Sequence, residues 1–289
     1  MTPNMTIAIA FLGMGLMGSR MSARLLAAGF SVSVWNRSPA AVAPLIAQGA
    51  AHLDCLDDLS RFQVIALCLA DDQAVDSVGS QILGQLQTGQ IVIDFSSSSV
   101  ALTQRLALHA REQGGYWIDA PVSGGVMGAE QGSLVIFAGG DQEVITGLAP
   151  VLAPLSQRVT RMGDSGAGQA TKICNQLIVA ATSTLIAEAI ALAEHAGVDA
   201  TLLAPALAGG FADSKPFQIL APRMAVRCFE PVQWKVQTLA KDLTLAMTLA
   251  SHHDLALPVA TRALTQLQAH ADQGYATADL SSVIKAVTP

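Results

Sequence analysis

Charge is scarce in this 289-residue chain: 13% of its residues are Asp, Glu, Lys or Arg, while 51% are hydrophobic. So much apolar material is ample for two domains or one large one. It also leaves much of the surface either apolar or covered by other subunits, so a homodimer or homotetramer is expected. There is no basic block and the net charge is -6, which argues against nucleic acid or an anionic membrane as the main partner. An anionic substrate would then have to be held by local groups. The four cysteines, Cys55, Cys68, Cys174 and Cys228, form no Cys-x-x-Cys and adjoin no His pair, so no metal site is expected. They read instead as reduced, mostly buried thiols of a cytoplasmic protein. No basic region precedes the first apolar stretch, against a signal peptide. Nor does any run of about 18 apolar residues, the length that spans a bilayer, lack polar breaks. The stretch after Lys172 comes nearest, interrupted by Asn175, Gln176, Thr182, Ser183, Thr184 and Glu188.

What the chain does have is a well-spaced glycine turn. Residues 6–12 read as a buried strand, Gly13-Met14-Gly15-Leu16-Met17-Gly18 follows, residues 17–28 show helical periodicity closed by Gly29, and residues 31–35 read as a second strand. In such a strand-helix-strand unit Gly13 permits the tight turn, Gly15 lets backbone amides approach a pyrophosphate, and Gly18 lets the helix pack against the strand. The helix start then faces the phosphates with its positive end. The second strand ends in Asn36-Arg37-Ser38. An acidic residue there would hold the ribose hydroxyls of NAD, whereas a guanidinium with two small polar groups suits the 2'-phosphate of NADP. The expectation is NADP(H) in preference to NAD(H); an Arg in a solvated turn is the plain alternative.

Strands and helices alternate through roughly the first 165 residues. Strands are expected at 62–69, 90–95, 116–120, 134–138 and 159–162, and helices near 40–48, 73–86, 100–113 and 141–154. This order implies an α/β fold with a Rossmann-type, doubly wound, mainly parallel sheet. After residues 163–168 the texture changes. Apolar residues run at helical spacing over 169–195, and only further helical segments follow. The expected organisation is an NADP-binding domain over 1–165 and an all-helical substrate and oligomerisation domain over 166–289. The long helix would cross between them and set a cleft.

Four blocks then carry a resemblance: Phe11-Leu12-Gly13-Met14-Gly15-Leu16-Met17-Gly18; Asp119-Ala120-Pro121-Val122-Ser123-Gly124-Gly125; Gly166-x-Gly168-Gln169-Ala170-Thr171-Lys172-Ile173-Cys174-Asn175-Gln176; and Lys241-Asp242-Leu243. Over nearly its whole length the chain resembles the 3-hydroxyisobutyrate dehydrogenase family of β-hydroxyacid dehydrogenases, which includes tartronate semialdehyde and glyoxylate/succinic semialdehyde reductases. Ser123, Gly124 and Gly125 follow a strand and offer a hydroxyl and two unencumbered amides, a small anion cradle. The resemblance implies that they bind the carboxylate of a small acid substrate.

Lys172 lies early in the long helix among apolar neighbours, where desolvation can bring a lysine from about 10.4 toward neutrality. The resemblance implies that it is the acid/base catalyst; a snorkelling helix lysine is the bland alternative. Asn175 and Gln176 share a helix face with Lys172, and Asn175 matches a residue that orients substrate or the lysine. Lys241 matches a lysine that reaches over the cofactor, with Asp242 anchoring that loop or helix start. Trp234 stands where the family commonly carries Phe and would reshape the substrate pocket, or serve as a core aromatic. Ser96-Ser97 matches a pair near the nicotinamide, and Leu69 opens a loop that flanks the cofactor. There the family often has Pro, but this chain has Ala70-Asp71-Asp72, whose acids could cap the next helix. The activity implied is hydride transfer between nicotinamide and a small β-hydroxyacid or semialdehyde acid. Two alternatives stay open at this point, an imine reductase on the same scaffold and an NADPH-binding sensor without turnover.

Overall fold

A computed structural model describes residues 7–57 and 59–288 of the chain. Thr6 at the start of the expected first strand, the other residues before Ile7, Asp58 and Pro289 lie outside the described residues. The chain divides into two compact units, Met1–Lys172 and Ile173–Pro289.

The first unit is built on β1 (Ala8–Leu12), β2 (Ser31–Trp35), β3 (Ala51–His52), β4 (Val64–Leu67), β5 (Ile91–Asp94), β6 (Tyr116–Asp119), β7 (Val122–Ser123), β8 (Leu134–Gly139) and β9 (Ser156–Gly163). Together they form one sheet in the order β3-β2-β1-β4-β5-β6-β8-β7, with β9 beside β8. The strands from β3 to β6 are parallel to their neighbours, and β8 runs antiparallel to β6 and β7. Ala8-Ile9-Ala10-Phe11-Leu12 can hold a central strand because it is apolar on both faces. Ile9 and Phe11 enter one core, with Met21, Leu25 and Val34, and Ala10 and Leu12 enter the other, with Ile65, Leu67 and Val75. The order reverses between β1 and β4, and in such sheets the crevice beyond the strand carboxyl ends at that point receives ligands.

Helices α1 (Leu16–Ala27), α2 (Ala43–Ile46), α3 (Asp72–Leu83), α4 (Val100–Glu112), α5 (Gly125–Gln131), α6 (Gln142–Gly147) and α7 (Ala149–Leu152) connect the strands. Two expected helices are shorter than their patterns. The stretch 40–48 contributes α2 after a 3-10 turn at Pro39–Ala41, and 141–154 splits into α6 and α7, because Pro44 and Pro150 lack the amide that would bond back one turn. Helix α5 was not expected at all; its sequence reads as a glycine-rich loop.

Helix α8 (Ala167–His195) contributes residues to both units. In the second it is followed by α9 (Leu203–Leu207), α10 (Lys215–Ala225), α11 (Val236–His252) and α12 (Pro258–His270). Leu220, Met224, Val236, Leu239, Leu243 and Leu267 are buried there. Counting polar breaks suggested no spanning run, but α8 is, among the described residues, one helix long and apolar enough to cross a membrane by length and composition. Its hydroxyls at Ser183 and Thr184 are satisfied inside the helix, donating to the carbonyls of Val179 at 2.7 Å and Ala181 at 3.0 Å. The cysteines also correct an expectation. All four are free thiols, but Cys55, Cys174 and Cys228 are exposed and only Cys68 is half-buried. Burial pushes the Cys68 thiol up to about 12, and the nearby Asp94 carboxylate adds to the rise.

Candidate active site

The glycine turn has two kinds of glycine. Gly13 has φ +102°, and a Cβ there would lie 2.3 Å from the Cys68 carbonyl oxygen; a Cβ on Gly18 would lie 1.9 Å from the Gly13 carbonyl oxygen. Both are demanded by the chain itself. A Cβ on Gly15 would meet nothing within 4 Å. Gly15 is the N-cap of α1 and places no side chain over the helix start, whose first turn carries no acidic residue. Met14, Leu16 and Met17 line this turn, with Leu16 exposed. From the end of β2, Asn36 accepts the Met14 amide on Oδ1 at 2.9 Å and donates to the Ser38 carbonyl at 3.0 Å. Arg37 and Ser38 beside it are exposed.

A second cluster forms where β4, β5 and β6 end. The Leu69 amide donates to Ser96 Oγ at 2.9 Å, and Ser97 is half-buried next to it. Asp71 caps α3 by accepting the Ala74 amide at 2.9 Å, and Asp72 accepts the Ser99 amide at 2.9 Å, so both acids serve local structure. Asp94 is fully buried and accepts the Ser96 amide at 2.9 Å and the Ser98 hydroxyl at 3.4 Å. Burial raises its carboxyl to about 6, against the lowering effect of those bonds, and Asp119 adds repulsion. Asp119, its register partner on β6, is also fully buried. Burial raises it too, while the amides of Gly166 and Gln169 favour its charged form.

Ser123 lies half-buried in β7, and the exposed Gly124 and Gly125 that follow have φ of +132° and +64°. Lys172, two turns into α8, is 8% exposed. In the second unit Asn175 Nδ2 donates to Gln176 Oε1 at 2.9 Å, and Gln176 Nε2 donates to Asp242 Oδ2. Lys241 Nζ pairs with Asp242 Oδ1 at 3.1 Å. Asp242 is thus held by two side chains, Lys241 and the buried Gln176. Trp234 is half-buried, and its amide donates to Asp279 Oδ2 at 3.3 Å. Asp94, Ser98 and Gln169 were not singled out from sequence, and Asp119 had no role. Their one signal is that the two expected strands at 90–95 and 116–120 each carry an Asp, Asp94 and Asp119, one residue before the end. Among the described residues no group of three or more His, Cys, Asp or Glu could hold a metal ion.

Residues 8–163 match the NAD binding domain of 6-phosphogluconate dehydrogenase, and residues 166–287 match the NAD-binding family of NADP-dependent 3-hydroxyisobutyrate dehydrogenase. The chain is 33% identical to the 2-hydroxy-3-oxopropionate reductase of Escherichia coli (strain K12), over 96% of each chain. It belongs to the 3-hydroxyisobutyrate dehydrogenase family. Among solved structures, the Mycobacterium tuberculosis 3-hydroxyisobutyrate dehydrogenase with L-serine superposes with a TM-score of 0.91 at 30% identity, covering 99% of this chain and 100% of that one. Psf3 in complex with NADP+ and 2-OPP gives 0.88 at 27% identity, covering 96% and 99%. As a member of this family the chain is an NAD(P)-dependent oxidoreductase with a Rossmann-type first domain and a helical second region. Its residues fit the cofactor: the space a Cβ would fill at Gly15, next to a helix start with no capping side chain, is room for a pyrophosphate.

Proposed function

We propose that this chain is an NADPH-preferring reductase or dehydrogenase of a small β-hydroxyacid or short semialdehyde acid. The observation that carries this reading is Lys172, a lysine 8% exposed in the same compact unit as the glycine turn and Ser123. A lysine ammonium placed against a reacting carbonyl oxygen can act as a general acid. Ser123 Oγ and the amides of Gly124 and Gly125 bind the substrate carboxylate. Asn175, three residues past Lys172 on α8, orients the substrate or the lysine. Lys172 Nζ gives its proton to the carbonyl oxygen in reduction and takes the hydroxyl proton in oxidation. The nicotinamide, when bound, supplies or accepts the hydride. Met14, Leu16 and Met17 present the turn's backbone to the pyrophosphate, and Leu69 and Ser97 flank the nicotinamide. The roles given to Trp234 in the pocket and Lys241 over the cofactor rest on the family resemblance.

Arg37 supports the NADP preference, with Asn36 and Ser38, because a guanidinium pairs with a dianionic phosphate and no carboxylate stands there to repel it. The domain roles follow: residues 1–165 bind NADP, and 166–289 serve substrate binding and assembly. Ile178, Leu185 and Leu192 lie at seven-residue spacing on α8 and are 64%, 63% and 72% exposed. A second copy of the chain covering this stripe accounts for it, and light scattering is expected to give a dimer or tetramer mass.

The decisive assay follows NADPH oxidation with glyoxylate, succinic semialdehyde, tartronate semialdehyde and methylmalonate semialdehyde, with NADH alongside. Turnover preferring NADPH is expected, and Lys172→Ala should lower kcat by about 100-fold or more, the usual weight of a general acid. No turnover on any of these acids, with NADPH still bound, would overturn the assignment.

A further inference from the structure

We propose that Asp119 and Gln169 are positioning residues for Lys172. The inference rests on the reading of Lys172 as the proton-transfer group. Asp119 Oδ1 accepts the Gly166 amide at 2.8 Å and Oδ2 accepts the Gln169 amide at 2.9 Å, so one buried carboxylate fixes the start of α8 to the end of β6. The surrounding glycines are shaped to this carboxylate. A Cβ on Gly139 would lie 2.6 Å from both of its oxygens, and one on Gly168 would lie 2.8 Å from Oδ2 and 2.3 Å from the Phe137 carbonyl. Gly166 has φ +94°, which brings its amide round to Oδ1.

Gln169 then ties the same helical turn to the strand ends. Its Nε2 donates to the Ser96 carbonyl at 2.8 Å, and its Oε1 accepts the Ser98 amide at 3.2 Å. Ser96 and Ser98 are in turn held by Asp94, and Ser96 Oγ accepts the Leu69 amide. Every member of this network from Asp94 to Gln169 is buried. Capping a helix needs only an exposed Ser or Asp. A fully buried carboxylate is a costly way to do it, because the charge loses its hydration. What the costly arrangement adds is fixity. Lys172 lies three residues beyond Gln169, about 4.5 Å along the axis, and a shift of about 1 Å in a reacting group can cost about 100-fold in rate.

The test uses the full-length chain with Asp119→Asn, which keeps the shape but places an amide against one of the two N–H donors, and Gln169→Met, which keeps the length but breaks both side-chain bonds. Circular dichroism and a thermal melt report folding. Nicotinamide fluorescence gives the NADPH Kd, and steady-state rates are taken with the best of the four acids named above. The expected result is a kcat about tenfold or more lower in each variant, with KM and the NADPH Kd within about twofold of wild type. Hydrogen exchange at the amides of Gly166 and Gln169 should speed up in Asp119→Asn. A kcat within about twofold of wild type in both folded variants, while Lys172→Ala is inactive, overturns the positioning role alone. Wild-type turnover in Lys172→Ala overturns the reading of Lys172 and the positioning role with it, leaving the exchange result as a measure of helix anchoring only.

Discussion

A methyl group on Gly15 would meet no atom of the protein within 4 Å, whereas one on Gly18 would lie 1.9 Å from a backbone oxygen. The two substitutions should therefore fail in opposite ways. Gly15 already has φ -75°, so Gly15→Ala is compatible with the backbone and should change stability by only about 0.5 kcal/mol, typical of a surface change. Its methyl stands where the pyrophosphate would approach, and NADPH Kd should rise about tenfold or more. Gly18→Ala should instead lower the melting temperature sharply, since backbone must move to admit it. Melts with and without NADPH distinguish the cases, and a large loss of stability in Gly15→Ala with unchanged Kd would count against the site. Sequence spacing made the turn legible. It also told the glycine left open for a ligand from the other two, but not that the Cys68 carbonyl, far along the chain, is what closes off Gly13.

The carboxyl ends of β5 and β6 bring two acids into register, Asp94 beside Asp119. Their burial raises both, Asp94 to about 6 from 3.8. A folded carboxyl raised above its unfolded value binds its proton more tightly in the native state, so its contribution to stability is full below about pH 4 and is lost as pH rises through about 6. Asp94→Asn lacks this dependence. Measured by urea unfolding from pH 4 to pH 8, the variant should gain on wild type by up to about 3 kcal/mol, the equivalent of roughly two pKa units. A constant difference across that range would show that Asp94 ionises normally. Such effects sit between elements, which is why they were not legible in the sequence, while the elements themselves largely were. Strand β2 has the expected limits, and the start and end of α8 lie close to those read from its periodicity. The two-residue, exposed β3 has no apolar pattern to read, and α5 is hidden by Gly125 and Gly128 inside it.

An acidic chain with net charge -6 that takes a polyanionic cofactor must rely on local donors, because its long-range field repels the ligand. For the 2'-phosphate of NADP the donor we propose is Arg37, exposed past the end of β2, where ions would screen it. Cofactor that binds only the folded chain raises stability by RT ln(1 + [L]/Kd), about 2.7 kcal/mol at one hundred times Kd. At equal concentrations well above both Kd values, each tenfold preference for NADPH over NADH should add about 1.4 kcal/mol to the difference in unfolding free energy. The cut between the two compact units falls inside α8, so the same helix gives residues to both. Arg37→Ser should bring the NADPH curve toward the NADH curve while leaving the latter in place, and added salt should narrow the wild-type gap for the same reason. If the two cofactors shift the wild-type melt equally, Arg37 is a solvated turn residue and the chain does not discriminate the 2'-phosphate.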